Sequence, residues 1–212
     1  KEGLIATTCC IGAIIPQTII NQGAEAGEKV FLEYLDIFGE DFYVELQRHG
    51  IENLDGSGLS QEYVNQVLIG FSEKYKVPLI ATNDSHYVNE EDSNAHDILL
   101  CVNTGELQST PIGKNENYGA KGTRFGFANS QFYFKTTAEM EKLFIDVPQA
   151  LDNTNMIVDS INTPELKRDV LLPAFQMPSE FKTQDDYLRH LTFEGAKKRY
   201  GEITAEIEER LN

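Results

Sequence analysis

The sequence lacks the long apolar runs that membrane helices require. No apolar stretch approaches the roughly 18 residues of a membrane span, and no basic segment followed by an apolar one opens the chain. Basic residues are also scarce, with 18 Lys and Arg against 34 Asp and Glu and a formal net charge of −16. Because cationic side chains drive binding to phosphate backbones, we expect this segment neither to bind DNA by itself nor to contact a membrane.

Cysteine is scarce as well, with three residues in 212. A small, odd number argues against a disulfide framework and favours a reducing compartment. The sequence has no glycine-rich phosphate loop, no Gly-x-Ser-x-Gly, no His-Glu-x-x-His, no paired Cys-x-x-Cys and no Asp-x-Asp. It opens with Lys1-Glu2-Gly3 and passes at once into a strand-like run, so we expect a segment of a longer protein.

Apolar periodicity predicts alternating strands and helices in the first part of the chain. Predicted strands cover 4–8, 42–47 and 79–82, and predicted helices cover 13–38 and 59–75. Helices between strands imply parallel strands with right-handed crossovers, which is an α/β fold. In such folds, functional sites gather at the carboxyl ends of the strands.

The rest of the chain is predicted to be mainly helical. Helices are expected at 90–102, 137–144, 147–161, 183–200 and 204–211, with a long loop at 105–129 and an extended segment at 132–134. Three prolines punctuate 162–182, where periodicity is lost. We therefore predict a first domain at 1–160, a connector at 161–182 and a helical segment at 183–212.

Asp84 and His86 are the strongest candidate site residues. They follow the predicted buried strand that ends at Thr82, and a period of two lets both side chains point the same way. A carboxylate and an imidazole at the end of a buried strand suit a divalent metal. A plain turn or helix cap at Asn83-Asp84 is the alternative interpretation.

Three further residues fall at the same predicted edge of the sheet. Cys10 follows the first strand and is either a thiolate ligand or a small buried residue. Glu45 is a ligand, a hydrogen-bond partner of a ligating imidazole or the start of a polar loop, and we favour the last. His49 lies beside Gly50 and is either a hydrogen-bond partner of a ligand or an exposed loop residue, and we favour the latter. Cys9 is expected to face the core.

Several longer segments occur in a recognisable order. They are Gly3-Leu-Ile-Ala-Thr-Thr-Cys-Cys-Ile-Gly12, Phe42-Tyr-Val-Glu-Leu-Gln-Arg-His-Gly50, Ile80-Ala-Thr-Asn-Asp-Ser-His-Tyr87, Ala95-His-Asp-Ile-Leu-Leu-Cys101 and Leu172-Pro-Ala-Phe175. This order resembles the bacterial replicative DNA polymerase III alpha subunit family. The resemblance covers nearly the whole chain and corresponds to the later part of the polymerase-and-histidinol-phosphatase (PHP) domain, running into the start of the palm region.

The resemblance implies a partial distorted β/α barrel with a metal cleft at the carboxyl ends of its strands. Asp84 and His86 match the last ligand motif of that family, and Cys10 matches a ligand from the middle of the barrel order. The complete site would hold zinc, manganese or magnesium and hydrolyse phosphodiesters as a 3′–5′ exonuclease. In some relatives the ligands are lost, and the domain is a scaffold that docks the proofreading subunit.

For the parent protein, the resemblance implies a DNA-directed DNA polymerase, a nucleotidyltransferase of the bacterial cytoplasm. Its partners would be DNA, nucleoside triphosphates with magnesium, the proofreading exonuclease and the sliding clamp. The His-x-His strand and the palm aspartates are absent here, so we expect this piece alone to be inactive. Cys9 replaces a usual Gly, and Ile14 replaces a common acidic residue. A free-standing phosphoesterase is the third interpretation, disfavoured by the segment after Pro173.

Overall fold

A computed structural model describes residues 2–54, 56–113, 122–163, 165, 167, 169–171, 173 and 175–212. Its contacts divide the chain into two compact units, Lys1–Asn162 and Thr163–Asn212. Positions 114–121 of the predicted loop, together with Pro164, Leu172 and Ala174 of the predicted connector, lie outside the described residues. No helix within the described ranges has the length and apolar character needed to cross a membrane.

The first unit is built on a sheet of three parallel strands. Strand β1 is Ala6–Thr7, β2 is Phe42–Leu46 and β3 is Leu79–Ala81, in the order β1-β2-β3. Ala6 pairs with Phe42, and Val44 pairs with Leu79. The predicted α/β fold with parallel strands is confirmed. The sheet is open among the described residues, so its place in a barrel stays a prediction.

The helix predicted at 13–38 is in fact two helices. Helix α1 covers Ile14–Gln22 and α2 covers Ala24–Phe38, separated by Gly23 with φ 90° and ψ 170°. Glycine adopts this backbone conformation readily because it has no Cβ, and the conformation ends the first helix. The two helices then approach so closely that a Cβ on Gly27 would lie 2.3 Å from Cγ1 of Ile19.

Helix α3, Gln61–Tyr75, connects β2 to β3 and covers the sheet. Its first turn is capped by the Ser60 side chain, which accepts a hydrogen bond from the backbone N–H of Tyr63. The core forms where α2, β2 and α3 meet, with the Phe31 ring 5.2 Å from that of Phe42 and 5.3 Å from that of Phe71. These contacts hold the strands, and therefore their carboxyl ends, in place.

Among the described residues of the first unit, three α-helices follow β3. Helix α4 covers Ser93–Thr104 after a 3₁₀ turn at Glu90–Asp92, α5 covers Thr137–Leu143 and α6 covers Gln149–Ser160. The predicted extended segment 132–134 makes only an isolated bridge, Tyr87 with Tyr133. A buried Arg124 guanidinium pairs with the Asp97 carboxylate at 2.6 Å and ties the long loop to α4.

The second unit contains helix α7, Gln184–Tyr200, and helix α8, Ala205–Leu211. Thr183 caps α7 by accepting a hydrogen bond from the backbone N–H of Asp186. The Phe181 ring lies 4.9 Å from Tyr187 and 5.0 Å from His190, so a small aromatic cluster holds the start of α7. The assignment of this unit to a palm region stays a prediction.

Candidate functional site

The predicted site residues lie at or just after the carboxyl ends of the three strands. Cys10 follows β1, Glu45 lies within β2, and Asp84 and His86 follow β3. Parallel pairing places these three ends side by side because each strand runs in the same direction. The strands therefore position the candidate chemistry, and the loops after them orient it.

Glu45 is a strand residue whose carboxylate joins all three strands, so the expectation that it starts a polar loop is wrong. Oε2 accepts a hydrogen bond from the Thr7 hydroxyl at 2.6 Å. Oε1 accepts one from the Thr82 hydroxyl at 2.5 Å and one from the Gln47 amide at 3.3 Å. Both carboxylate oxygens of Glu45 therefore accept hydrogen bonds from neutral donors, and these bonds link the carboxyl ends of the strands.

Asp84 and His86 lie beside each other in the turn after β3. Nδ1 of His86 is 3.0 Å from the backbone carbonyl of Asp84 and 3.7 Å from its Oδ1. A carbonyl oxygen only accepts, so Nδ1 carries the proton of the neutral ring and Nε2 keeps a lone pair. Metal-ligating histidines have this arrangement, in which the other ring nitrogen donates to a carbonyl or carboxylate.

Cys10 and Asp84 both line a cavity of about 230 Å³, together with His49 and Phe132. Within the part of the chain that the structure describes, however, no three or more His, Cys, Asp or Glu side chains form a group that could hold a metal. The donor chemistry of Asp84 and His86 fits a ligand pair. The described residues do not complete a metal site.

His49 is buried, with only 2% of its surface exposed, so the expectation of an exposed loop residue is wrong. Its ring stacks on Phe132 at 4.4 Å with an interplanar angle of 12°. Burial lowers the pKa of His49 to about 4, an effect partly opposed by the Asp84 charge. The imidazole is therefore neutral at physiological pH.

Aromatic rings surround His86 in a way that the sequence did not reveal. Phe127 lies 4.6 Å and His96 lies 5.7 Å from the His86 ring. The backbone N–H of His86 donates to the Phe132 carbonyl at 2.7 Å. Burial lowers the pKa of His96. In the sequence, the one signal for Phe127 and Phe132 is their position in the loop after a long polar stretch.

A larger cavity of about 890 Å³ lies between the β3 turn and helices α5 and α6. Thr82, Asn83, Ser85 and Lys135 are among its lining residues. It contains none of the three predicted ligands, so its size alone does not mark it as the site.

Comparison with known proteins identifies relatives of the chain. The chain is 41% identical over 99% of its length to the DNA polymerase III subunit alpha of Borreliella burgdorferi. It is 32% identical over 100% of its length to that of Treponema pallidum, and 36% identical over 94% to that of Thermus aquaticus. The chain is homologous to one segment of the DNA polymerase III alpha subunit. It spans 15–17% of the length of these three relatives.

No family model matches the chain.

Cys9 has a φ of 60°, a left-handed backbone conformation that is uncommon outside glycine. The residue is exposed rather than facing the core, contrary to the expectation. A glycine at position 9 would adopt this positive φ without the steric penalty that a Cβ causes.

Proposed function

We propose that this chain is the later part of a PHP domain in a replicative DNA polymerase and that Asp84 and His86 contribute to a metal-dependent phosphodiesterase site with 3′–5′ exonuclease activity. The carrying observation is that Nδ1 of His86 lies 3.0 Å from the Asp84 carbonyl, which leaves Nε2 of His86 as the nitrogen that would bind a metal. Zinc, manganese or magnesium would be the metal, and Cys10 would be a third ligand. The remaining ligands would come from other parts of the parent polypeptide.

For the parent polypeptide, we propose DNA-directed DNA synthesis from nucleoside triphosphates with magnesium. The relatives named DNA polymerase III subunit alpha support this proposal. Residues 1–160 would be the second part of the barrel, 161–182 a connector and 183–212 the start of the palm. DNA, the proofreading exonuclease and the sliding clamp would be its partners, in the bacterial cytoplasm.

A non-catalytic scaffold that docks the proofreading subunit is the second candidate. One observation favours it: among the residues that the structure describes, no group of three ligands is assembled. Glu45, which sits at the centre of the strand ends, is engaged by threonine hydroxyls rather than left open. In this interpretation Asp84 and His86 are remnants of a lost site.

Metal titration of the parent polypeptide separates the two candidates. We expect it to bind Zn²⁺ or Mn²⁺ and to shorten a 3′ end, and we expect Asp84→Ala and His86→Ala to abolish both properties. Loss of one ligand from a shared metal removes a bond that water replaces poorly, which lowers affinity.

The matched controls are Glu91→Ala and His190→Ala, which remove an exposed carboxylate and an exposed imidazole elsewhere in the chain. Both controls should bind metal as the unaltered protein does. Binding of no metal by the parent polypeptide, or equal binding by the Asp84 and His86 variants, would overturn the nuclease proposal in favour of the scaffold.

A further inference from the structure

A buried pair of side chains, His49 and Gln61, lies directly behind the Asp84–His86 turn. Both residues are 2% exposed. The backbone N–H of His49 donates to Oε1 of Gln61 at 2.7 Å, and this bond fixes which end of the Gln61 amide is oxygen. The amide nitrogen then faces Nδ1 of His49 at 3.1 Å.

The second ring nitrogen of His49 faces the turn after β3. The backbone N–H of Asp84 donates to Nε2 of His49 at 3.4 Å. The imidazole thus lies against the Asn83–Asp84 peptide.

The residues around this turn tie it to the neighbouring loop. The Asn83 amide nitrogen donates to the Tyr133 carbonyl at 2.6 Å. The Asn129 amide donates to the His49 carbonyl at 2.7 Å. Phe132 stacks on His49 with its ring and accepts from the His86 N–H with its carbonyl. His49 therefore links Gln61 of α3 to the Asp84–His86 turn and to the loop that supports it.

We propose that His49 and Gln61 are positioning residues, which hold the turn after β3 so that Asp84 and His86 present their ligand atoms together. This inference rests on the proposed function, since it concerns the same ligand pair. His49 acts through the Asp84 backbone and Phe132, and Gln61 acts through His49. Residues that position a ligand raise metal affinity, because a ligand side chain that is mobile in the free protein must be ordered when the metal binds.

The test uses the full-length parent polypeptide with His49→Ala, His49→Gln and Gln61→Leu. We expect His49→Ala and Gln61→Leu to lower Mn²⁺ affinity about 10–100-fold, the usual effect of removing a partner of a ligand. His49→Gln keeps a side-chain acceptor for the backbone N–H of Asp84 and should recover most of the affinity. Calorimetric titration with Mn²⁺ alone measures all three.

The matched control is Asn65→Ala, on the same helix. Asn65 is also buried, and its amide donates to the Gln47 carbonyl at 3.0 Å, so its loss removes a comparable buried hydrogen bond. It makes no hydrogen bond to the Asp84 turn among those that the structure shows for the described residues. We expect this variant to lose stability and keep its Mn²⁺ affinity.

Hydrogen–deuterium exchange of the metal-free protein separates this inference from the proposed function. If His49 positions the turn, His49→Ala should speed exchange of the amides at 83–87 more than Asn65→Ala does. Equal exchange in the two variants, or an unchanged Mn²⁺ affinity in His49→Ala where Asp84→Ala abolishes binding, would overturn the positioning role alone. Absence of Mn²⁺ binding in the unaltered protein would overturn the proposed function, and exchange would still decide whether His49 holds the turn.

Discussion

Individual polar residues, one half-buried and one buried, decide how the strand ends are arranged. The Glu45 carboxylate accepts hydrogen bonds from threonines on either side of β2, and the buried His49 contacts the turn that carries Asp84. A buried polar group without partners is costly, so such groups persist where the fold supplies partners for them. These two residues are therefore parts of the framework around Asp84 and His86.

His49 gives the chain a pH-dependent stability. Its pKa falls from 6.5 to about 4 on folding because of burial, so the unfolded chain binds a proton that the folded chain does not. Stability should be fully present above pH 6.5 and fall as the pH drops toward 4. From pH 7.5 to 5 we expect a loss of about 2 kcal/mol from this residue. Urea unfolding at several pH values measures the slope.

His49→Gln is the control, since glutamine does not titrate. Its unfolding free energy should change less over the same interval, with the remaining slope due to groups such as His96, whose pKa is also lowered. The Glu139 carboxylate, whose pKa is held at about 2 chiefly by the hydrogen bond from Tyr133, loses its contribution only between pH 4.5 and 2. A slope equal to that of the unaltered chain would show that His49 is not the titrating group.

At the scale of the elements, glycine placement decides how the first helices meet the sheet. Gly23 ends α1, and Gly27 lets α2 lie directly against Ile19 of α1. The helix–helix contact brings Phe31 onto β2, where it meets Phe42 at 5.2 Å. One uninterrupted helix at 13–38 could not fold back on itself in this way.

Two helical glycines should respond in opposite ways to alanine. Gly27→Ala places a Cβ 2.3 Å from Cγ1 of the fully buried Ile19, and we expect a destabilisation of about 1–3 kcal/mol. Gly70→Ala lies in an exposed part of α3 with nothing within 4 Å of the new Cβ, and we expect a gain of about 1 kcal/mol from helix propensity. Urea unfolding of both variants measures the difference, and a gain in both would refute the close approach of α1 and α2.

At the scale of the whole molecule, the hydrophobic core belongs to the first unit. The core cluster of the described residues runs from Ile15 to Ala150, and all of its buried members fall within Lys1–Asn162. Phe144, which directly follows α5, and Ala150 of α6 complete it, and both are fully buried. A net charge of −16 spread over 212 residues favours solubility and opposes contact with phosphate backbones.

A chain ending at Asn162 should therefore keep its cooperative unfolding transition, because the removed residues supply none of the core cluster. Thermal unfolding followed by circular dichroism should give the same midpoint as the 212-residue chain. A chain ending at Lys135 is the control, since it loses Phe144, Val147 and Ala150 from the core, and it should not unfold cooperatively. Loss of the transition in both truncations would show that the first unit needs the second.

Local pattern alone determined the alternation of strands and helices, the parallel sheet, and the position of Asp84 and His86 just after a buried strand. Period-two and period-3.6 spacings are properties of neighbouring residues, and helical connections between strands leave little choice but parallel pairing. Tertiary structure decided the rest. The partners of Glu45 come from 37 and 38 residues away, and those of His49 come from α3 and from the loop at Asn129. Because burial is set by such distant contacts, only the folded chain shows that His49 is buried against the turn after β3.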